Sequence, residues 1–372
     1  MTNIVNRTDE NSSAPIMMIT ASNGFIDQSE RYAYDNTGAS LKKYVILHKG
    51  ELAYNHGASK LRPYGSCFAL DVDNARVPFV YHCFSTSSCD PYFLSTILNS
   101  RVVEHQLRRL ISSGARMDGL LNISYSDYSN IYITLPTLDE QKKITQLLRT
   151  LDGLISLHQR QTQKLRELKK GLLQKMFPRE GESVPRLRFP GFTTHWEQQK
   201  LSDVASITMG QSPDGSTYST TPQGHILIQG NADLSHGWVS PRVWTTQVTK
   251  TCDAGDIIMS VRAPAGAIGR TQYNAVIGRG VAAIKGNDFI YQSLARMDDI
   301  GYWRSLVTGS TFESINSTDL KNAELCVPSL PEQQKIGSFF HHVDDLINLH
   351  QQQTEKLTEL KTGLLQKMFP QD

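Results

Sequence analysis

Cysteine is the residue type in this sequence that could most directly supply metal-binding or redox chemistry, and its spacing favours neither. The five cysteines are Cys67, Cys83, Cys89, Cys252 and Cys326. No two of them form a C-x-x-C pair, and no histidine stands at metal-ligand spacing from them, which argues against a zinc site and against a disulfide framework. We expect reduced thiols or small buried side chains, and no metal ligand.

Motifs that would support an enzyme are also missing from the sequence. It contains no Asn-Pro-Pro-aromatic motif with which a methyltransferase grips a flipped adenine, and no G-x-x-x-x-G-K-[ST] loop for ATP. No nuclease pattern of paired acidic residues with a lysine is evident either. The sequence therefore predicts no catalytic residue and no cofactor bound by this chain itself.

Basic residues could bind nucleic acid only through local clusters, because the whole chain is close to neutral. Lys plus Arg is 38 against 36 for Asp plus Glu, a formal charge of +2. One cluster lies between Arg101 and Arg116, and another comprises Arg262, Arg270 and Arg279. A cluster alone more often means a solvated face than a DNA contact.

Composition excludes several broad classes of protein. The 372 residues, 39% hydrophobic and 20% charged, are typical of two globular domains with connecting elements. No apolar run approaches the roughly 18 residues that cross a bilayer, and residues 1–7 do not resemble a secretory signal. We therefore expect a cytoplasmic protein that is not bound to a membrane.

A long internal repeat organises the chain. The segment 136–178, PTLDEQKKITQLLRTLDGLISLHQRQTQKLRELKKGLLQKMFP, aligns without a gap with 328–370, PSLPEQQKIGSFFHHVDDLINLHQQQTEKLTELKTGLLQKMFP. The shift is 192 residues throughout, and about 27 of 43 positions are identical. Proline at each end indicates where a helix begins and where it ends.

Each copy carries a seven-residue repeat in two rows that we predict to form a helix-helix seam. In the first copy the rows are Ile144, Leu151, His158, Leu165 and Leu172, and Leu147, Leu154, Gln161, Leu168 and Lys175. In the second they are Ile336, Val343, His350, Leu357 and Leu364, and Phe339, Leu346, Gln353, Leu360 and Lys367.

A helix of this length, roughly 60 Å at 1.5 Å per residue, needs a partner of similar length to bury such a seam. We expect the two copies to pack antiparallel as a coiled coil, with an approximate two-fold axis. His158 and His350 occupy equivalent seam positions, which favours a polar layer that fixes the register over a metal or catalytic role.

The remaining segments predict two globular domains of mixed α/β (α+β) class. Short apolar runs such as 255–261 and 280–284 are separated by Gly, Pro, Asn and Asp. Residues 49–55 parallel 254–260, so the two halves share an architecture although their middles diverge. We predict domains at 1–134 and 179–326, and spacer helices at 135–178 and 327–372.

These features together resemble the specificity subunits of type I restriction-modification systems. The resemblance rests on LPTLDEQKKI and VPSLPEQQKI, on LKKGLLQKMFP and LKTGLLQKMFP, on Arg186 to Phe192 with Trp196, and on short motifs at 209–213, 229–231, 260–264 and 278–280. In the first domain, residues 51–55 and 63–65 match the family pattern. The family usually opens its first domain with a segment like 186–201, and we expect the first domain here to begin late.

The resemblance implies a non-catalytic subunit with two target recognition domains that recognises a bipartite site in double-stranded DNA. It implies partners: methyltransferase subunits, and endonuclease subunits for cleavage. S-adenosylmethionine, ATP and Mg²⁺ are expected in those partners and not in this chain.

Major-groove recognition relies on Arg for guanine and on Asn or Gln for adenine, so we selected polar loop residues as candidates. The candidates in the second domain are Gln211, Ser212, Gln229, Asn231, Arg262 and Arg279. Those in the first domain are Tyr54, Asn55, Lys60 and Arg62. For each of them a local structural role is the alternative.

Two other functions remain open from the sequence alone. The near-neutral charge is compatible with a coiled-coil scaffold whose domains bind other proteins. A short first domain is compatible with an inactive, truncated specificity subunit.

Overall fold

A computed structural model describes residues 2–30, 38–111, 121–306 and 314–369. The chain divides into two compact units, an N-terminal unit of Met1–Ser156 with Glu355–Asp372 and a C-terminal unit of Leu157–Thr354. Two long helices run from one unit into the other, so each unit holds one globular part and a section of each helix.

The helices are short except for these two. They are α1 (Pro91–Leu98), α2 (Arg101–Leu110), α3 (Tyr125–Ser129), α4 (Leu138–Met176), α5 (Leu201–Val204), α6 (Asp288–Asp299), α7 (Tyr302–Ser305), α8 (Ser317–Asn322) and α9 (Leu330–Met368). The long helices α4 and α9 have 39 residues each. None of the described helices combines the length and the apolar composition of a membrane span.

The strands are mostly two to five residues long. Those of the N-terminal unit are β1 (Thr2–Ile4), β2 (Met17–Thr20), β3 (Gly24–Asp27), β4 (Val45–His48), β5 (Leu52–Asn55), β6 (Ser66–Ala69), β7 (Asn74–Val77) and β8 (His82–Thr86). Those of the C-terminal unit are β9 (Glu197–Lys200), β10 (Ser206–Met209), β11 (Tyr218–Ser219), β12 (His225–Ile228), β13 (Leu234–Ser235), β14 (Trp238–Val239), β15 (Trp244–Thr245), β16 (Thr251–Cys252), β17 (Ile257–Ser260), β18 (Ile268–Arg270), β19 (Ala275–Ile277), β20 (Val281–Lys285) and β21 (Glu324–Val327).

The same antiparallel sheet forms the centre of both units. Its order is β1-β8-β5-β6 in the N-terminal unit, and the six-stranded sheet of the C-terminal unit begins β10-β20-β17-β18 before it adds β14 and β13. Leu52 lies opposite Phe84, and Ile257 lies opposite Ile284. The mixed helix and sheet class is confirmed, and the sheet order agrees with the parallel between residues 49–55 and 254–260.

The repeated QKMFP ends serve as aromatic anchors. Phe177 stacks on Phe289 of α6, with ring centroids 5.3 Å apart, and joins the largest buried cluster of the C-terminal unit. In the N-terminal unit Phe369 lies 5.3 Å from Phe93 of α1, beside Leu148. Burial of an aromatic ring explains why both helices end in the same apolar sequence.

One of the two seam rows predicted for each helix is wrong. The row that begins at Ile144 is buried or partly buried. The second row of the seam begins at Leu148, four residues after Ile144, and also contains Thr162. The predicted row, which begins at Leu147, is not part of the seam. The leucines of the rejected rows are exposed: Leu147 (40%), Leu154 (39%), Leu168 (53%), Leu346 (47%) and Leu360 (52%). Spacings of three and four residues are both compatible with a heptad pattern, so the repeat alone did not distinguish them.

Polar pairs link the two helices within each unit. In the C-terminal unit Lys169 Nζ lies 2.7 Å from Asp344 Oδ1. In the N-terminal unit Lys361 Nζ lies 2.5 Å from Asp152 Oδ1. The two pairs correspond through the 192-residue shift, because Lys361 is the counterpart of Lys169 and Asp152 is the counterpart of Asp344. The helix sections are antiparallel in each unit, as predicted: His158 meets His350 in the C-terminal unit, and Leu148 packs with Phe369 in the other.

Candidate nucleic-acid interface

Five of the six candidate residues in the C-terminal unit line one open cleft of about 610 Å³. The cleft is formed by the loops that follow β10, β12 and β17 and by the loop that precedes β20. The candidates that line it are Ser212, Gln229, Asn231, Arg262 and Arg279. Gln211 is exposed next to the cleft, and its backbone N–H donates to the carbonyl of Ile277 at 2.8 Å.

Glycine allows these loops to touch backbone to backbone. A Cβ atom on Gly280 would lie 2.0 Å from the carbonyl oxygen of Gln229, and one on Gly210 would lie 2.1 Å from that of Gly278. Any side chain there would push the loops apart. The Ser212 hydroxyl accepts the N–H of Arg279 at 3.1 Å and ties two of the loops together.

A buried carboxylate that we did not select from the sequence shapes the loop after β12. Asp233, 1% exposed, accepts the backbone N–H groups of Gln229 at 2.7 Å and Gly230 at 3.2 Å. Its other oxygen accepts from Arg242 Nε at 3.0 Å. An acidic residue two positions after an asparagine is a common turn pattern, so no distinct sequence signal marks Asp233 for this role.

The cleft is positively charged. The side chains of Arg262 and Arg279 are exposed, and in the part of the chain that the structure describes neither has an acidic group within 4.0 Å. The amides of Gln229 and Asn231 are half-buried, and their side chains make no hydrogen bond to any described residue. These two guanidinium groups and two amides, which have no partner in the described part of the chain, could donate to and accept from the edges of bases or bind phosphate.

The candidates in the N-terminal unit do not gather in a comparable way. The structure contradicts the selection of Tyr54 as a DNA-contacting residue. Its ring stacks on Tyr128 in the core at 4.0 Å, and its hydroxyl donates to the carbonyl of Tyr64 at 2.5 Å. Asn55 donates to the carbonyl of Ile19 at 3.2 Å and accepts from a neighbouring backbone N–H, so its amide has a structural role here.

The two basic candidates of this unit differ from each other. Arg62 donates to the carbonyl of Asn99 at 2.6 Å and lies 3.6 Å from Glu104, so its charge is partly compensated. Lys60 is exposed, and it makes no ion pair with any described residue. Among the four candidates, Lys60 is thus the cation for which the described residues provide no ion pair.

Pairing within the shared sheet shows which residues correspond. Ile4 and Ile207 lie opposite Phe84 and Ile284, so the loop before β8 corresponds to the loop before β20. Phe79 lies five residues before Phe84, and Arg279 lies five residues before Ile284, so Phe79 occupies the position that corresponds to Arg279. Phe79 is 49% exposed and lies 5.8 Å from Lys43 Nζ. The constant shift of the helices does not hold in the globular parts, so the sequence alone did not identify Phe79 or Lys43.

The cysteines form no disulfide among the described residues, and most of them are buried. All five are free thiols, and burial raises the pKa of Cys67 and Cys83 to about 12 and that of Cys252 to about 11. Among the described residues, no group of three His, Cys, Asp or Glu side chains is placed to hold a metal ion.

Comparison with known proteins gives a consistent result. A family model described as the type I restriction modification DNA specificity domain matches residues 79–167 and 194–359. The chain is 28% identical over 292 residues to a putative type I restriction enzyme MjaX specificity subunit of Methanocaldococcus jannaschii, across 74% of this chain and 66% of that protein. It is 22% identical over 276 residues to the MjaVIII specificity subunit of the same organism, across 68% and 65%. The chain thus spans slightly less than two thirds of the length of these relatives.

Two solved structures share the fold. The type I restriction-modification S subunit from M. genitalium superposes with a TM-score of 0.64 at 15% identity, over 100% of this chain and 93% of that one. A chain from a structural study of complex assembly and conformational transition of the type I R-M system gives 0.50 at 22% identity, over 98% and 95%.

Proposed function

Because the chain belongs to the family of type I restriction modification DNA specificity domains, we propose that it is the non-catalytic DNA-recognition subunit of a type I restriction-modification complex. In this proposal it recognises a bipartite target in double-stranded DNA and directs adenine methylation and restriction by methyltransferase and endonuclease subunits. Those partners supply S-adenosylmethionine, ATP and Mg²⁺ chemistry. The complex works in the cytoplasm, where the DNA is accessible.

The C-terminal cleft is the observation that carries this proposal. Two arginines without an acidic partner and two amides without a hydrogen bond, as far as the described residues go, lie on loops that glycines and Asp233 hold in fixed positions. Fixed donors and acceptors discriminate bases better than flexible ones, since no ordering cost accompanies binding. The near-neutral total charge argues for recognition at such a site and against a broad basic surface.

The exposed leucines of the helices support the partner part of the proposal. In the C-terminal unit Leu157, Leu168, Leu346 and Leu349 are each 44 to 53% exposed on two antiparallel helices. Leucine rows on the outside of a helix pair favour the addition of further helices, because the rows would then be buried. A methyltransferase subunit that contributes helices would fit this surface.

The test of DNA recognition is a methylation map. The chain is co-expressed with its cognate methyltransferase subunit, and modified adenines are located by single-molecule sequencing. A bipartite motif is expected, and Arg279→Ala should relax recognition in one half of it at a cost of roughly 1–3 kcal/mol in binding. Lys321→Ala, another exposed cation of the C-terminal unit, is the matched control and should leave the motif unchanged.

The outcomes distinguish the alternatives. A stable complex that modifies no motif would indicate an inactive specificity subunit. A chain that neither binds duplex DNA at low salt nor co-purifies with the methyltransferase subunit would instead favour a scaffold for other proteins.

A separate test addresses the leucine surface. The double variant Leu168→Glu, Leu346→Glu should fold, because both side chains are already about half exposed, but should no longer co-purify with the methyltransferase subunit. Gln163→Glu with Gln352→Glu adds the same charge at exposed positions outside the leucine rows and serves as the control. Co-purification of both variants would exclude this surface.

A further inference from the structure

Two side chains of the N-terminal unit meet just beyond the end of an antiparallel ladder. In that ladder β4 pairs with β7, and Val45 lies opposite Val77. Two residues further along the same register, Lys43 stands opposite Phe79. The Lys43 Nζ atom lies 5.8 Å from the centre of the Phe79 ring. The two residues therefore form a cross-strand pair in which a cation touches an aromatic ring.

The C-terminal unit has a pair of residues at the same two positions. Its strands β16 and β19 are antiparallel, and Thr251 lies opposite Val276. Three residues further along this register, Val248 stands opposite Arg279. Val248 precedes the first residue of β17 by nine residues, and Lys43 precedes the first residue of β5 by the same number. The pair of Val248 and Arg279 is thus the counterpart of the pair in the N-terminal unit.

The chemistry of the two positions is exchanged between the units. In the C-terminal unit the residue before β20 is the cation Arg279, and its partner Val248 is apolar and 52% exposed. In the N-terminal unit the residue before β8 is the aromatic Phe79, 49% exposed, and its partner Lys43 is the exposed cation. Each pair presents one cation and one apolar group, but in opposite places. Domains that recognise different half-sites need such differences at equivalent positions.

The backbone on both sides of Phe79 is held in place. The carbonyl of Pro78 accepts the N–H of Tyr81 at 3.0 Å, and the carbonyl of Val80 lies 2.7 Å from Nε2 of the buried His56. The Phe79 ring belongs to none of the buried clusters that the described residues form. A ring on a fixed loop loses little conformational freedom when it binds, so this position suits recognition better than core packing.

We propose that Phe79 recognises a thymine in the half-site of the N-terminal unit by packing against its 5-methyl group in the major groove, and that Lys43 binds a neighbouring phosphate. This inference rests on the DNA recognition proposed above and names a contact that the N-terminal unit makes. A phenyl ring offers no donor or acceptor to a base edge, so the thymine methyl is the major-groove group that it distinguishes. Lysine adds affinity without sequence information.

The exchange of residues also predicts a difference between the half-sites. Arginine in the major groove binds guanine through two hydrogen bonds, whereas an aromatic ring contacts the methyl group of thymine. We therefore expect guanine at the base pair that Arg279 contacts and thymine at the base pair that Phe79 contacts.

The test uses the full chain in complex with the methyltransferase subunit and a fluorescent duplex that carries the mapped motif. The half-site that Arg279→Ala leaves unchanged belongs to the N-terminal unit. Deoxyuridine replaces each thymidine of that half-site in turn, which removes only the methyl group. In anisotropy titrations we expect one of these replacements to raise the dissociation constant about fourfold, as the loss of one buried methyl group predicts.

Variants of the chain assign this effect to a side chain. Phe79→Ala should weaken binding to the unmodified duplex by at least about fourfold and abolish the effect of deoxyuridine, whereas Phe79→Leu, which stays apolar, should keep most of it. Lys43→Ala should weaken binding to both duplexes equally and lower the slope of the salt dependence by about one. Tyr132→Ala removes another exposed ring of the same unit, 87% exposed, and is the matched control.

The outcomes separate this inference from the proposed function. A parent complex that binds no duplex with its own motif would contradict DNA recognition itself. Tight binding that no deoxyuridine replacement weakens, or that is weakened equally in the parent and Phe79→Ala chains, would overturn the role of Phe79 alone. Loss of the methyltransferase subunit from the Phe79→Ala chain would also overturn it, because the ring would then contact protein.

Discussion

At the scale of single residues, some side chains of the cleft are placed to contact DNA, and others hold the loops that carry those side chains. Arg262 and Arg279 are exposed and pair with no acidic group among residues 2–30, 38–111, 121–306 and 314–369, whereas Asp233 is buried and accepts from two backbone donors and one guanidinium group. A carboxylate with three donors is a rigid anchor, and breaking such a network leaves buried donors unpaired. If the cleft binds DNA as proposed, Asp233 acts on recognition by holding the backbone of Gln229 and Gly230.

Asp233→Asn should therefore reduce discrimination more than affinity. The amide keeps the shape of the side chain but cannot accept all three donors, so the Gln229 loop loosens, with a stability loss on the order of 1–3 kcal/mol. The measurement is the ratio of dissociation constants for cognate and mismatched duplexes, which should fall while the salt dependence stays the same. Asp253→Asn removes the charge of an exposed carboxylate that pairs with Lys285 and is the control. An unchanged ratio would show that Asp233 does not contribute to discrimination between cognate and mismatched DNA.

We expect His82 to make the stability of the N-terminal unit depend on pH. Its Nε2 lies 2.9 Å from the carbonyl of Ile123, and its ring stacks 5.0 Å from that of His56. Burial lowers the pKa of His82 below its ordinary value of 6.5, and nearby His56 lowers it further, although the Ile123 carbonyl opposes the shift. Below pH 6.5 the unfolded chain binds the proton more readily than the folded one, so stability is lost as the pH falls from 6.5 toward the folded pKa.

Denaturant unfolding between pH 7.5 and 5 tests this effect. His82→Gln should flatten the acid side of the profile, and His105→Gln, which changes an exposed histidine of α2, should leave it as in the parent chain. The same slope in all three proteins would show that other groups control the acid response.

At the scale of elements, the two long helices combine an apolar seam with polar pairs. His158 and His350 meet with their Nδ1 atoms 2.8 Å apart. One ring must donate and the other must accept. This hydrogen bond therefore forms only when the two histidines lie at the same level of the seam. A polar layer of this kind fixes the register at some cost in stability, as a buried polar residue does in other coiled coils.

Replacement of both histidines by leucine should stabilise the C-terminal unit and loosen its register. We expect a gain on the order of 1 kcal/mol in unfolding free energy, because two polar rings are exchanged for apolar side chains. Chemical denaturation measures the gain, and disulfide trapping of cysteines placed at exposed positions across the seam measures the register. A single His158→Leu should instead destabilise the unit, since it leaves the other ring unpaired. A stable double variant with an unchanged set of disulfides would show that the histidines do not fix the register.

At the scale of the whole molecule, α4 and α9 both pass from one unit into the other. If each unit recognises a half-site, the length of these helices determines the number of unspecified base pairs between the half-sites. Deletion of one heptad from both helices removes about 10.5 Å, or about three base pairs of B-DNA. The half-sites themselves should remain, because the recognition loops are unchanged.

A methylation map of the deletion variant measures that spacing directly. A deletion that keeps the heptad phase preserves the seam, whereas a deletion of five residues does not and should abolish the complex. Spacing that stays the same after the heptad deletion would contradict the bipartite proposal.

The types and spacing of neighbouring residues determine much of the secondary structure of this protein. The repeat, its helical period and the ends of both helices follow from residue type and spacing, because backbone donors and apolar periodicity act over a few residues. The family resemblance rests on the same segments. Five of the six loop candidates of the second domain line one cleft, since Gly and polar residues between short strands mark loops.

Tertiary structure decided what depends on contacts between distant residues. It selected the seam row that contains Leu148 over the one that contains Leu147, because a heptad allows both and only packing distinguishes them. It placed Tyr54 in the core, and it revealed Asp233 as the anchor of a loop. Sequence spacing determines which elements form, but the partner that each face meets is a property of the folded chain.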